Sequence, residues 1–242
     1  MPDIGCCAVV ELRQYTLKPG QRDVLIDLFE RDLIDGQESV GMTLIGQFRD
    51  RRRPDRFVWL RGFPDMERRH QALEAFYGGP IWARHREQAN DTMLDSDDVL
   101  LLKPARPDSM FRIRTSDRSA TFHEGRAATV LAGIYELPQP PDDALVSRFE
   151  SRIVPILGAN GIELEALFVT EPAPNTFTRL PVREGENVLM WFGTVEAGQG
   201  PDTWRDRMFD AASLGQGRMT LLELEPTSRS LLGRRGSLRE AS

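Results

Sequence analysis

Two stretches of this chain, offset by about 120 residues, run through the same order of elements, and that repetition restricts the fold more than any single motif does. Residues 6–17, CCAVVELRQYTL, read as a strand that ends at Lys18-Pro19-Gly20. Residues 21–35 carry Val24, Leu25, Leu28, Phe29 and Leu33 at helical spacing, with Gly36 as a stop. Strands follow over 42–49 and 56–63, then a helix over 65–77, a Gly78-Gly79-Pro80 break, a helix from Ile81 to Thr92, and a strand over 98–103. After an Arg-, Ser- and Pro-rich stretch with a short strand at 110–114, the order recurs. A strand over 128–137 leads to a helix capped by Asp142-Asp143 that bears Leu145, Val146, Phe149 and Ile153 on one face. Strands over 162–170 and 187–196 flank a long loop at 171–185; a helix over 201–213, with Trp204, Met208 and Phe209, and a strand over 218–225 close the series.

Each series is β-α-β-β-α-β, the ferredoxin-like split βαβ unit. Such a sheet carries helices on one face and needs a cover for the other, and two sheets can cover each other. The expected fold class is therefore α+β: two ferredoxin-like βαββαβ units in tandem, their sheets packed as an α+β barrel. The expected organisation is a first domain over 1–105, a connector over 106–127, a second, degenerate domain over 128–226 and a mobile tail over 227–242.

Composition excludes some partners. The 242 residues carry a formal net charge of −6, which disfavours nucleic acid. The run Arg49-Asp50-Arg51-Arg52-Arg53 is the local exception and reads as a solvated loop. No stretch approaches the ~20 apolar residues that cross a bilayer, and the N-terminus lacks a basic start and apolar run. The expectation is a cytoplasmic protein with no membrane partner. Lys18 and Lys103 are the lysines among 31 basic residues, an Arg bias that suggests a GC-rich bacterial genome. The adjacent Cys6 and Cys7 read as two partly buried thiols, and with His70, His85 and His123 they make no zinc spacing.

Strand side chains alternate between faces. Val10 and Leu12, like Val58 and Leu60, make aliphatic faces suited to packing under helices. The opposite faces, with Glu11, Arg13 and Tyr15 on one strand and Phe57, Trp59, Arg61 and Phe63 on the other, mix aromatic and charged groups. That mixture suits a largely apolar pocket with a few fixed polar groups, so these residues are expected to point into the barrel. The competing reading is an architectural ion-pair network in which Glu11 bridges Arg13 or Arg61. In the second series Leu131, Gly133 and Tyr135 take the matching positions, and Val188, Met190, Phe192 and Thr194 give a mostly apolar wall. An asymmetric barrel follows, suited to an aromatic or amphipathic molecule with an anionic group near an arginine. His85 follows Trp82 by three residues, so the two share a helix face: a surface pair, a haem ligand or an acid–base group at the barrel mouth. His70 reads as a packing or surface residue. There is no Gly-rich phosphate loop, G-x-S-x-G elbow or HExxH, which argues against nucleotide-dependent and common hydrolase chemistry.

The stretches VELRQYTLKPGQ, GQF, FVWLRGF, AFY with the later Trp82, and VLLLKPA resemble the NIPSNAP family of the dimeric α+β barrel superfamily, over residues 7–105. The resemblance implies paired ferredoxin-like sheets. It leaves activity open, because that superfamily includes cofactor-free monooxygenases, polyketide-modifying enzymes, haem enzymes and ligand binders. The functional expectation is a cofactor-independent enzyme of bacterial specialised metabolism acting on a hydrophobic or aromatic small molecule by oxygenation, isomerisation or cyclisation. Arg13 or Arg61 would hold a carboxylate or enolate, and Glu11 or Tyr15 would move a proton. Phe57, Trp59, Phe63, His85, Tyr135, Met190 and Phe192 would bind substrate. No metal is expected. The alternatives are a non-catalytic binder of haem, ligated by His70 or His85, or of another small molecule, and an interaction protein whose barrel is filled by its own side chains. A homodimer is left open.

Overall fold

A computed structural model describes residues 7–113, 116, 118, 128–196 and 218–233. Eight strands are described: β1 (Val9–Leu17), β2 (Thr43–Asp50), β3 (Arg56–Phe63), β4 (Met93–Pro104), β5 (Thr129–Glu136), β6 (Glu163–Thr170), β7 (Val188–Val195) and β8 (Arg218–Pro226). They close one barrel in the order β1-β3-β2-β8-β5-β7-β6-β4, every neighbour antiparallel. The first four strands are ordered β4-β1-β3-β2 and the last four β8-β5-β7-β6, the same sequence of positions in each half. Two short seams join the halves: Phe48–Asp50 against Pro226–Leu224, and Leu102–Pro104 against Thr170–Phe168.

The aliphatic strand face turns inward. Val10, Leu12, Val58, Leu60, Leu100 and Leu102 meet Val130, Ala132, Ile134, Phe168, Val188, Met190, Phe192, Leu222 and Leu224 in one buried cluster. An eight-stranded barrel is just wide enough for side chains to fill, and hydrocarbon fills it without stranding polar atoms. Phe111 enters this interior, its ring 5.2 Å from Phe168 and 5.1 Å from Phe192. It stands where a short strand at 110–114 is expected, and pairs there as a single bridge.

The mixed face therefore turns outward, which reverses the orientation expected for Glu11, Arg13, Tyr15, Trp59 and Arg61. Its cover is a set of helices: α1 (Arg22–Leu28), which runs through one π-helical turn (Phe29–Leu33) into α2 (Ile34–Glu38), then α3 (Met66–Tyr77) and α4 (Pro80–Thr92). Gly36 lies inside this helical run and does not stop it. A Cβ there would meet Ile81 Cδ1 at 2.9 Å, so the glycine lets α4 approach closely. Asp65 caps α3 by accepting from Arg68 N at 2.6 Å, and Pro80 opens α4, where its missing N–H costs nothing. In the second half α5 (Asp143–Ala159) covers the outer face over Leu131, Tyr135, Leu189 and Trp191, with Asp142 as its cap. The helix expected over 201–213, and His123, lie outside the described residues.

Two further expectations change. Residues 227–233 are not a free tail: Thr227, Ser230, Leu231 and Leu232 are buried, and Thr227 N and Leu232 N donate to β2 at Gln47 O (2.9 Å) and Ile45 O (3.0 Å). Their backbone hydrogen bonds extend the edge of β2 past its seam with β8. Cys7 is disulfide-bonded rather than a thiol, with a left-handed φ of 73°, and its sulfur occupies the space that a side chain at Gly62 would need. Of the basic run, Arg51, Arg52 and Arg53 are exposed as a solvated loop requires, but Arg49 and Asp50 belong to β2, and Asp50 is buried and accepts from Arg52 N and Arg53 N. Among the described residues no helix is long and apolar enough to cross a membrane.

Candidate functional site

Glu11 sits mid-strand on β1 and is fully buried with Arg13, Arg61 and Arg69 around it. The register places Arg61 of β3 directly opposite Glu11, and the strand pleat returns Arg13 to the same face two residues on. Arg13 Nη1 and Arg61 Nε each donate to Glu11 Oε2 at 2.8 Å, and Arg69 Nε, from α3, donates to Oε1 at 2.7 Å. Arg13 Nε also donates to the Tyr15 hydroxyl at 2.9 Å; Arg61 Nη1 reaches Gln37 Oε1 at 3.1 Å and the Tyr77 hydroxyl at 3.3 Å. The Trp59 ring lies beneath both Arg13 (5.5 Å) and Arg61 (5.1 Å), so its π face adds to their stabilisation. Phe29, at the start of the π turn, packs against Trp59 at 4.8 Å.

Burial by itself would raise the Glu11 carboxyl, but the guanidiniums of Arg61, Arg13 and Arg69 outweigh it and hold the group well below the usual carboxylate range. Burial also opposes charge on Arg13, where Tyr15 and Glu11 prevail and raise it. On Arg69 burial prevails, aided by Arg61 and Arg13 and only partly countered by Glu11, and its affinity for a proton is lowered. Tyr15 is raised by burial, with Arg13 opposing. Three guanidiniums thus share one carboxylate, and two positive charges are left over in a sealed compartment.

Unpaired polar atoms collect on this same outer face. Trp59 Nε1, Arg69 Nη2 and both amide atoms of Gln47 are buried without a hydrogen-bond partner. Gln47 pairs with Trp59, which pairs with Arg13, so these groups lie in one cross-strand row. Each would cost roughly 1–3 kcal/mol if left permanently unsatisfied; Trp191 Nε1 and the Tyr135 hydroxyl are in the same position under α5, and what sets the first half apart is that Arg69 is charged.

The segment between β6 and β7 lies over this half. Arg69 Nη1 donates to Asn175 Oδ1 (3.1 Å) and Thr176 Oγ1 (3.4 Å), and Thr176 O sits 2.7 Å from His70 Nδ1. Phe177 is buried, 5.9 Å from the Tyr77 ring. Glu171 N donates to Leu101 O and Arg183 N to Val99 O, which fastens both ends of the segment to β4. Between the segment and the outer faces of β4 and β6 is a cleft of about 300 Å³, with Leu101, Lys103, Val169, Asn175 and Arg183 in its walls. Asn175 belongs to both cleft and cluster.

Of the residues singled out from the sequence, Glu11, Arg13, Tyr15, Trp59 and Arg61 come together, flanked by Phe57 and Phe63. The rest of the expected substrate set does not join them. Met190 and Phe192 point into the packed barrel, and Tyr135 lies under α5, where burial pushes its hydroxyl up to about 12. His85 stands 3.7 Å from Asp32 and, like His70, does not line the cleft. Among the described residues no cluster of His, Cys, Asp and Glu is placed to hold a metal ion. Sequence reasoning missed Arg69, Gln37, Asn175 and Thr176. Arg69 had a signal: with Met66, Leu73 and Phe76 it takes the 66-69-73-76 spacing of the buried face of α3, a charge at an apolar position.

The barrel with outer helices defines a mixed α/β class shared with a candidate monooxygenase of Fusobacterium nucleatum (TM-score 0.53, 8% identity, covering 93% of this chain and 94% of that one). A candidate monooxygenase of Lactobacillus acidophilus aligns over 90% of this chain and 93% of its own at 13% identity and a TM-score of 0.49. Within that class, residues 10–107 match the NIPSNAP family model, in agreement with the resemblance in that stretch. A NIPSNAP-like domain protein of Burkholderia xenovorans is 28% identical over 40% of this chain and 84% of its own, with a TM-score of 0.37. No curated protein matches.

Proposed function

We propose that this chain arose as two ferredoxin-like units in tandem and that its first half acts on a hydrophobic or aromatic small molecule without a cofactor. The ligand in this reading occupies the cleft under residues 171–187, and the buried first-half cluster lies behind its wall residue Asn175. The observation that carries it is the buried excess of two guanidinium charges beside a cleft, with unpaired donors on the same face. Fixed donors in a dry site stabilise negative charge developing on an enolate or related intermediate. Glu11 serves there as the anion that aligns the arginines. A carboxylate held so firmly ionised is a poor proton acceptor, and Tyr15, kept protonated by its burial, can serve as a hydrogen-bond donor.

The saturation of both Glu11 oxygens favours a second reading, an ion-pair core that only joins sheet to helices. Native mass spectrometry of the purified chain separates the two. A small molecule that leaves on denaturation, and is lost from a folded Ala173→Phe variant that fills the cleft, is expected. An unmodified mass with no ligand, and no oxygen uptake or isomerisation across an aromatic substrate panel, would leave the core as architecture.

A further inference from the structure

Arg69 differs from the other two arginines of the cluster. Away from Glu11, Arg13 and Arg61 bond to side chains of the first half's own elements, Tyr15 on β1, Gln37 on α2 and Tyr77 on α3. Arg69 instead gives Nη1 to Asn175 and Thr176, both on the segment from the second half. Those acceptors are neutral, and the distances of 3.1 and 3.4 Å are long beside the ~2.7–2.9 Å of a guanidinium–carboxylate bond. Nη2, the other prong of that fork, is buried and has no partner. Because Nε is committed to Glu11, Nη1 and Nη2 together present the planar pair that takes a carboxylate bidentately.

The route to Arg69 from the cleft side runs through Asn175. Asn175, whose Oδ1 holds Arg69, is itself a cleft wall. The three carboxylates of that wall are held by its own residues: Glu171 accepts from Ala173 N at 2.9 Å, Glu184 from Asn175 N at 2.8 Å, and Glu186 from Arg183 at 2.8 Å. Arg183 is committed to Glu186, Asp98 and Glu136, so among the described residues Lys103 is the cation of the wall not paired there, and the attraction for an anion comes from Arg69 behind Asn175. A carboxylate arriving at Arg69 would reduce the buried charge excess from two to one and satisfy Nη2 at the same time.

We propose that Arg69 is the ligand-recognition residue of the small-molecule site, that its ligand bears a carboxylate on an apolar or aromatic body, and that Asn175 and Thr176 hold Arg69 until that carboxylate displaces them. This rests on the reading of the cleft as a small-molecule site and narrows its ligand class. Residues 171–187 then act as a strap: the segment that forms the cleft roof also competes with the ligand for one guanidinium.

Saturation-transfer NMR on the full chain with matched pairs tests this: benzoate against benzamide, phenylacetate against phenylacetamide, naphthoate against naphthamide. The acids are expected to bind at least tenfold more tightly than their amides. Arg69→Gln should erase that preference, and Asn175→Ala should tighten acid binding several-fold by removing the competitor. Acids and amides that bind alike, or a preference that survives in Arg69→Gln, would overturn the anion recognition while leaving the cleft as a small-molecule site. No binding by any member would overturn both. Should Arg69→Gln fail to fold, Asn175→Ala outside the ionic core decides: unchanged or weaker acid binding refutes the proposal.

Discussion

Removing the Glu11 charge is the sharpest perturbation this structure offers. Glu11→Gln keeps the shape of the side chain but leaves Arg13, Arg61 and Arg69, all fully buried, without a counter-ion. Breaking a buried pair by removing one partner costs about 3–5 kcal/mol. Here a single carboxylate serves three partners at 2.7–2.8 Å, which places the expected loss at the upper end of that range. Set against a typical stability of about 5–15 kcal/mol, such a loss moves a urea midpoint by molar amounts or abolishes the folded state. The pH dependence gives a second reading of the same interaction. The folded Glu11 carboxyl lies well below its ordinary value of 4.5, so below that pH the unfolded chain binds the proton first. Its stabilising effect is thus fully present above about pH 4.5 and declines as pH falls through the folded value, at up to ~1.4 kcal/mol per pH unit. Urea titrations of wild type and Glu11→Gln from pH 7 down to the acid limit measure both. A loss under about 1 kcal/mol at pH 7, or parallel pH profiles below pH 4.5, would refute the view that Glu11 is the anion on which the cluster depends.

Three further outcomes follow from particular contacts. Glu11→Ala opens space beside the arginines, and formate at tens of millimolar should restore part of its lost thermal stability while chloride does not, read by differential scanning calorimetry. Gly133→Ala sets a Cβ where the Trp191 indole lies, 2.1 Å from Nε1, and should cost about 1–3 kcal/mol in urea unfolding. Tyr135 ionises near 12 when folded and near 10 when unfolded, so the folded state loses stability as pH rises from about 10 toward 12, and a Tyr135→Phe variant should lose that dependence.

The order of elements was legible because strand alternation and helix periodicity are local. Strand β3 falls at Arg56–Phe63, where the sequence places it, and Asp142 caps its helix as expected. The face assignment was not legible from the strands alone. Alternation says that Glu11, Arg13 and Tyr15 share a side, but which side faces the barrel depends on what the helices present. Gln37 on α2 and Arg69 and Tyr77 on α3 are polar groups that meet the charged face, so the decisive information lay tens of residues away. Asn175 and Thr176 gave no signal in a proline-rich loop, because their role arises from the closure of β6 beside β4.

The asymmetry between the halves has a physical origin at one register position. In the first half Arg13 faces Trp59, and in the second Gly133 faces Trp191. An arginine at the first position stands off the indole as a cation over its ring. A glycine at the second lets the indole lie down on the backbone, as the near approach of Trp191 Nε1 shows. The second half thereby fills with hydrocarbon the space that the first half gives to charge. Where that space is filled, α5 packs as an ordinary amphipathic helix on Leu131, Tyr135, Leu189 and Trp191. Where it holds charge, the helices must supply acceptors, and they supply fewer than three guanidiniums need. The shortfall falls at Arg69, the point where the second half's own segment reaches across. A barrel whose two halves share one strand order can thus keep one half as packing and leave the other with a cationic cluster that the packing half covers.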